Sequence, residues 1–152
     1  MYEYACKPVR VIDGDSLIAT IDLGFHIQFN TSVRLYGIDT PESRTRDPQE
    51  KKCGLLSKKF LEEAVKNGKN IIIRTQKDEK GKFGRVLGSL VIDGININHK
   101  MIEENLAVAY YGQSKDSIAK GHLVNRAILV EKGLLNLEWI NEFTNTSTQT
   151  GR

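Results

Sequence analysis

Residues 9–37 read VRVIDGDSLIATIDLGFHIQFNTSVRLYG, and this stretch decides the architecture. Val9, Val11 and Ile12 run up to an Asp13-Gly14 turn signal. Ser16 to Leu23 is rich in β-branched and apolar residues and stops at Gly24. From His26 to Tyr36, Ile27, Phe29, Thr31, Val33 and Leu35 fall at every second position, the period of a half-buried strand. The turns Asp13-Gly14-Asp15 and Leu23-Gly24 are short enough to join the three runs into an antiparallel meander.

Beyond the meander the period changes. Pro48 suits the first turn of a helix, and Leu56, Phe60 and Ala64 lie four apart on one face. Asn67-Gly68 is a stop signal. Ile71 to Thr75 and Val86 to Ile92 read as two further strands, the second closed by Asp93-Gly94, with a charged loop from Gln76 to Arg85 between them. Two more helices are expected, around 98–105 and 117–132, the latter stopped by Gly133. Five strands with about three helices predict an α+β chain with a mainly β core: a small closed barrel of the five-stranded Greek-key type.

The 152 residues suit one domain. Its extent is expected to be 1–143, followed by a polar tail, 144–152, without apolar anchors. Hydrophobic content of 39% argues against wholesale disorder. No run approaches the roughly 20 apolar residues of a membrane span. The N-terminus lacks the apolar core of an export signal, so a cytoplasmic protein with reduced Cys6 and Cys53 is expected. Neither cysteine has a partner at zinc-ligand spacing.

The net charge is only +3, but it is unevenly spread. Residues 44–85 hold 13 Lys/Arg and 6 Asp/Glu, a net of +7, and the rest of the chain holds 9 and 13, a net of −4. Such a basic block is either solvated surface or the footprint of a polyanion.

Three segments hold most of the chemistry-bearing residues: 11–16 (VIDGDS), 34–42 (RLYGIDTPE) and 82–85 (KFGR). Asp15 follows a turn, and Asp39 and Glu42 follow the end of a strand. Carboxylates at neighbouring strand ends repel one another unless a cation sits among them. An all-oxygen set suits Ca2+ or Mg2+ rather than zinc. Taken singly, each acid is equally at home as a turn former. Arg34 interrupts an apolar strand, so it is exposed, bound to an anion, or paired with a nearby carboxylate. Arg85 closes the charged loop behind Gly84. Acids around a metal, with planar bidentate donors for a phosphate, would form a phosphodiester-cleaving site.

In this order and spacing the three segments resemble the staphylococcal nuclease (thermonuclease) family, over about Val9 to Tyr111. The resemblance implies an oligonucleotide/oligosaccharide-binding (OB) barrel with three helices. It also implies Ca2+-dependent hydrolysis of DNA and RNA that leaves 3′-phosphate ends. It makes Asp15 and Asp39 side-chain ligands of Ca2+, with the Thr40 backbone carbonyl, and places Asp13 near the ion through water. Glu42 becomes the general base or water-positioner, and Arg34 and Arg85 the clamp on the scissile phosphate. Lys82 matches a lysine that contacts a terminal phosphate. Tyr110 matches a tyrosine beside the nucleotide, while Phe83 and Tyr111 are candidates for stacking on bases. Ser16 and Phe83 stand where Thr and Tyr are usual. Leu-Asn-Leu-Glu-Trp at 135–139 is similar to the family's closing Leu-Asn-x-Trp, with an insertion.

The remaining residues read plainly. His26, His99 and His122 are expected to be structural or exposed, and Trp139 a core anchor. Arg44 and Arg46 either help hold a nucleic-acid backbone or lie in a solvated loop. The missing export signal would suit a phage or mobile-element product, and a monomer is expected. The alternative is an OB module that binds nucleic acid without cleaving it; such domains usually lack one of the acids or arginines, and this chain lacks none. A structural metal-binding protein would explain the acids but leave Arg34 and Arg85 without a purpose.

Overall fold

A computed structural model describes residues 2–76 and 85–136. Lys82, Phe83, Trp139 and the expected tail lie outside the described residues.

Five strands close a barrel, as the meander and the two later runs predict. They are β1 (Glu3–Asp13), β2 (Ser16–Asp22), β3 (Gln28–Leu35), β5 (Ile71–Gln76) and β6 (Arg85–Ile92). The short strands β4 (Ile38–Asp39), β7 (Ile95–Asn96) and β8 (Val108–Ala109) supplement them. The barrel order is β3-β2-β1-β5-β6, closed by a pairing of β3 with β6. All barrel pairs are antiparallel except the closing one, which is parallel. The long β1 serves two neighbours: Glu3–Ala5 pairs with β5, and Cys6–Asp13 pairs with β2. Register shifts between Pro8 and Arg10 and between Val11 and Asp13 mark where it bends.

The inner face follows the alternation. Leu17, Ala19 and Ile21 of β2 and Val33 and Leu35 of β3 are buried, with Ile73, Leu90, Leu61 and Met101 against them. The outer half of the β2–β3 hairpin departs from expectation. Ile27 and Phe29 share the period of Val33 but are exposed, because the hairpin extends past the end of the barrel and finds no layer to cover it.

α1 (Pro48–Asn67) is capped by Asp47, whose carboxylate accepts from the Gln49 and Glu50 amides. Its deepest stripe is Cys53, Ser57 and Leu61, one step round from the expected Leu56, Phe60 and Ala64, which are partly buried. The shift has a polar cause: Ser57 Oγ donates to the Leu106 carbonyl at 2.6 Å, which turns that face inward. Cys6 and Cys53 are buried free thiols, and burial pushes Cys6 up to about 11.

α2 (Ile97–Glu103) carries the buried Asn98. Its amide donates to the carbonyls of Tyr36 (2.8 Å) and Gly88 (3.3 Å) and accepts from the Leu90 amide (3.1 Å), locking the end of β3 to β6. α3 (Lys115–Glu131) begins slightly before the expected 117, because Ser114 caps it by accepting from the Ser117 amide. Of the apolar residues that mark this helix, Leu129 is buried, whereas Leu123, Val124 and Val130 are exposed. No described helix is long and apolar enough to cross a membrane.

Candidate active site

The tight β1–β2 turn puts Gly14 and Asp15 against the segment that follows β3. Gly14 is buried there. A Cβ on it would come within 2.7 Å of Ser57 Cβ and 3.1 Å of the Thr40 side chain. Asp15 therefore starts from a packed position. One of its carboxylate oxygens accepts from the Thr40 amide at 3.1 Å and lies 3.0 Å from Arg34 Nη1.

Arg34 faces away from the core residues Val33 and Leu35, as strand alternation requires. Its guanidinium is held by backbone as well as by charge. Nη1 reaches the carbonyls of Asp15 (3.3 Å) and Leu35 (3.4 Å), and Nη2 that of Ile38 (3.1 Å). Nη2 also lies 3.7 Å from Asp39 Oδ1. The guanidinium thus spans the two acids, which is the carboxylate pairing among the alternatives open for it.

Asp39 ends β4, which pairs with β8 through Asp39–Val108 and Ile38–Ala109. Its other oxygen is 2.7 Å from His122 Nε2 on α3. Asp13 accepts a short hydrogen bond from Ser43, which is buried. Thr40 is buried too, and its hydroxyl has no hydrogen-bond partner among the described residues.

Glu42 is placed by α1. The helix crosses so close that a Cβ on Gly54 would lie 2.4 Å from the Glu42 carbonyl oxygen, so only glycine fits there. The Glu42 side chain reaches solvent. Its carboxyl is nonetheless pushed above the ordinary carboxylate range, first by desolvation and then by the charges of Asp13, Asp15, Asp39 and Glu50. Asp15 is raised too, because burial outweighs the opposing pull of Arg34.

Arg85 is a correction. It was expected to close a loop, but it is the first residue of β6, paired with Ser32 of β3. Barrel closure extends the strand to this point. The register sets Arg85 diagonal to Arg34 on the same face. Its Nε is buried without a hydrogen-bond partner among the described residues, a donor lacking an acceptor. Tyr110 follows β8, and its amide donates to Gly37 at 2.8 Å, beside the loop that leads to Asp39. Tyr111 is largely exposed. The structure therefore brings Asp15, Arg34, Asp39 and Thr40 together, with Asp13 and Glu42 near enough to feel one another's charge. His122, expected to be structural or exposed, is largely buried and bonded to Asp39, a contact that no motif pointed to.

A cavity of about 670 Å3 lies between β1 and α1, lined by Arg10, Ser43, Arg44, Leu55, Lys58 and Glu62; Ser43, the partner of Asp13, is its link to the acids. No group of three or more Asp, Glu, His or Cys side chains among the described residues is arranged to hold a metal ion. Asp15 and Asp39 would instead supply two hard oxygen donors, leaving the rest of an ion's shell to carbonyl, water or substrate. That open set fits Ca2+ or Mg2+.

Residues 32–137 match the family model described as staphylococcal nuclease homologue. The chain belongs to this family. The match starts after Asp13 and Asp15 and extends through α3, further than the resemblance to Tyr111 read from the motifs. Over 109 residues the chain is 29% identical to a thermonuclease of Staphylococcus hyicus, covering 72% of this chain and 61% of that one. It is 26% identical over 115 residues to endonuclease YhcR of Bacillus subtilis (strain 168), covering 72% of this chain and 9% of that one. It is 32% identical over 102 residues to the SPbeta prophage-derived endonuclease YokF of the same organism, covering 66% and 33%. The chain thus spans less than two thirds of the length of each of these three relatives.

Proposed function

We propose that this chain is a Ca2+-dependent nuclease that hydrolyses phosphodiester bonds of DNA and RNA, leaving 3′-phosphate and 5′-hydroxyl ends. The observation that carries the reading is the Arg34 guanidinium spanning Asp15 and Asp39, at 3.0 and 3.7 Å, beside a carboxylate whose proton affinity is raised. A phosphate arriving with a divalent cation meets both charges it needs: acids for the ion and a planar donor for its own oxygens.

In this reading Asp15 and Asp39, with the Thr40 carbonyl, would hold the ion, and Asp13 would lie near it through water. When bound, the ion neutralises a phosphate oxygen and withdraws charge from phosphorus. Glu42 orients the attacking water and takes its proton as the water oxygen bonds to phosphorus. The bond from phosphorus to the 5′ oxygen breaks, that oxygen taking a proton from solvent. A carboxyl raised by desolvation and by its neighbours' charges is a better base than an ordinary one. Arg34 and Arg85 donate to the non-bridging oxygens as charge builds on the five-coordinate phosphorus. The Nε of Arg85, without a partner among the described residues, is a donor that could serve that purpose. Lys82, Phe83, Tyr110 and Tyr111 contact the nucleotide, and Arg10, Arg44 and Lys58 offer cations to a strand continuing along the β1–α1 cavity.

Incubation with single-stranded DNA tests the reading. Cleavage is expected with Ca2+ and none with chelator, and Arg85→Ala is expected to slow it by orders of magnitude with the fold intact. Salt-dependent binding without product at any Ca2+ concentration would leave a binding module instead.

A further inference from the structure

We propose that His122 is a positioning residue for the ion site, its Nε2–H holding one oxygen of Asp39 so that the other faces the cation. The inference rests on the reading of Asp39 as an ion ligand and adds to it a partner from a distant helix.

The two oxygens of Asp39 face different groups. Oδ2 is 2.7 Å from His122 Nε2, and Oδ1 is turned toward Arg34, 3.7 Å away, on the side of Asp15. An ionised carboxylate only accepts, so Nε2 carries the hydrogen. The imidazole is 16% exposed, and its Nδ1 is buried without a partner among the described residues. A buried polar atom left unpaired is costly, and the contact that offsets it is the hydrogen bond of Nε2 to Asp39.

The packing of α3 delivers the ring. β8 lies beside β4 through the Val108–Asp39 pair. Gly121 sits directly on Val108, where an added Cβ would come within 3.0 Å of both methyl groups. Asn125 donates to the Ala107 carbonyl at 3.1 Å and accepts from the Asn105 amide at 3.2 Å, tying the next turn of the helix to the chain entering β8. The helix thus lies close enough for residue 122 to reach across β8 to Asp39. That support matters because β4 is only two residues long. An unrestrained carboxylate there would lose rotamer freedom on binding an ion. Hydrogen-bond partners of ligating groups commonly set 10–100-fold in metal affinity, as a general magnitude of about one to two decades.

The test is the Ca2+ affinity of the whole chain without nucleic acid, read by displacement of Tb3+ luminescence. It compares wild type with His122→Gln, which keeps a donor near the Nε2 position, and His122→Ala, which removes it. The space-filling His122→Phe serves as a second donor-free variant should the alanine protein fail to fold. The donor-free variants are expected to bind Ca2+ about tenfold more weakly or worse, and His122→Gln to keep most of the affinity. Wild-type affinity in a donor-free variant, or a glutamine variant as weak as alanine, would overturn the role of His122. A wild-type chain that binds no Ca2+ would remove the ion site itself, and this inference with it.

Discussion

The turns on either side of β2 start from similar letters, Asp13-Gly14-Asp15 and Asp22-Leu23-Gly24, and end in opposite surroundings. In the first, Gly14 is buried, and Asp15 is gripped by the Thr40 amide and Arg34. In the second, every residue from Asp22 to Asn30 is exposed. Its bend is made locally instead. Gly24, Phe25 and His26 take left-handed φ of 79°, 55° and 63°, and the Asp22 carboxylate accepts from the Gly24 amide. Hairpin chemistry makes both turns. Only the one that α1 and residues 40–43 pack against is placed firmly enough to hold converging charges.

The two glycines sharpen that contrast most. Gly14 has an ordinary φ and no room, whereas Gly24 has room and a left-handed φ. Gly14→Ala is expected to cost about 1–3 kcal/mol by overpacking and to reduce cleavage by displacing Asp15 and Thr40. Gly24→Ala is expected to cost about 1 kcal/mol through its backbone conformation and to leave cleavage unchanged. Denaturant titration and turnover of both variants check this; equal activity losses would erase the distinction between the turns.

A smaller effect concerns the burial of the acids and, after it, their mutual repulsion. The folded-state values of Glu42 and Asp15 lie above their ordinary, unfolded ones. Between the two, the folded chain holds protons that the unfolded chain has released. The stabilising contribution is complete below the unfolded value and is lost as pH rises through the folded one. Ion-free protein is therefore expected to lose stability as pH climbs from the ordinary carboxylate range toward neutrality. Glu42→Gln removes part of that repulsion, so its Tm without metal should exceed wild type at neutral pH, with the gap closing in acid. A lower Tm at neutral pH would mean that the carboxylate is engaged favourably.

Much of this was legible in the sequence because the signals are local. Alternation placed the inner face of β3 at Thr31, Val33 and Leu35, the β-branched run marked β2, Asp-Gly marked the first turn, and Pro48 marked the start of α1. The spacing of Arg34, Asp39 and Glu42 along one stretch gave the acids and an arginine together. What was not legible depends on distant partners. Arg85 belongs to a strand because barrel closure pairs it with Ser32. Ile27 and Phe29 kept the strand period after the core had run out. His122 and Asp39 are 83 residues apart, so no spacing links them. One signal was available: Gly121 lies inside a helix, where glycine costs about 1 kcal/mol relative to alanine, and that cost marks a close contact.

The central claim is that the packed turn before β2 supplies an ion-holding acid to a phosphodiester-cleaving site. The most direct measurement is a Ca2+ titration of single-stranded DNA cleavage by wild type and Asp15→Asn. The account predicts that wild type is activated by Ca2+, and that the variant is slower by about 100-fold or more at any Ca2+ concentration. Equal rates and equal Ca2+ dependence in the two proteins would contradict it.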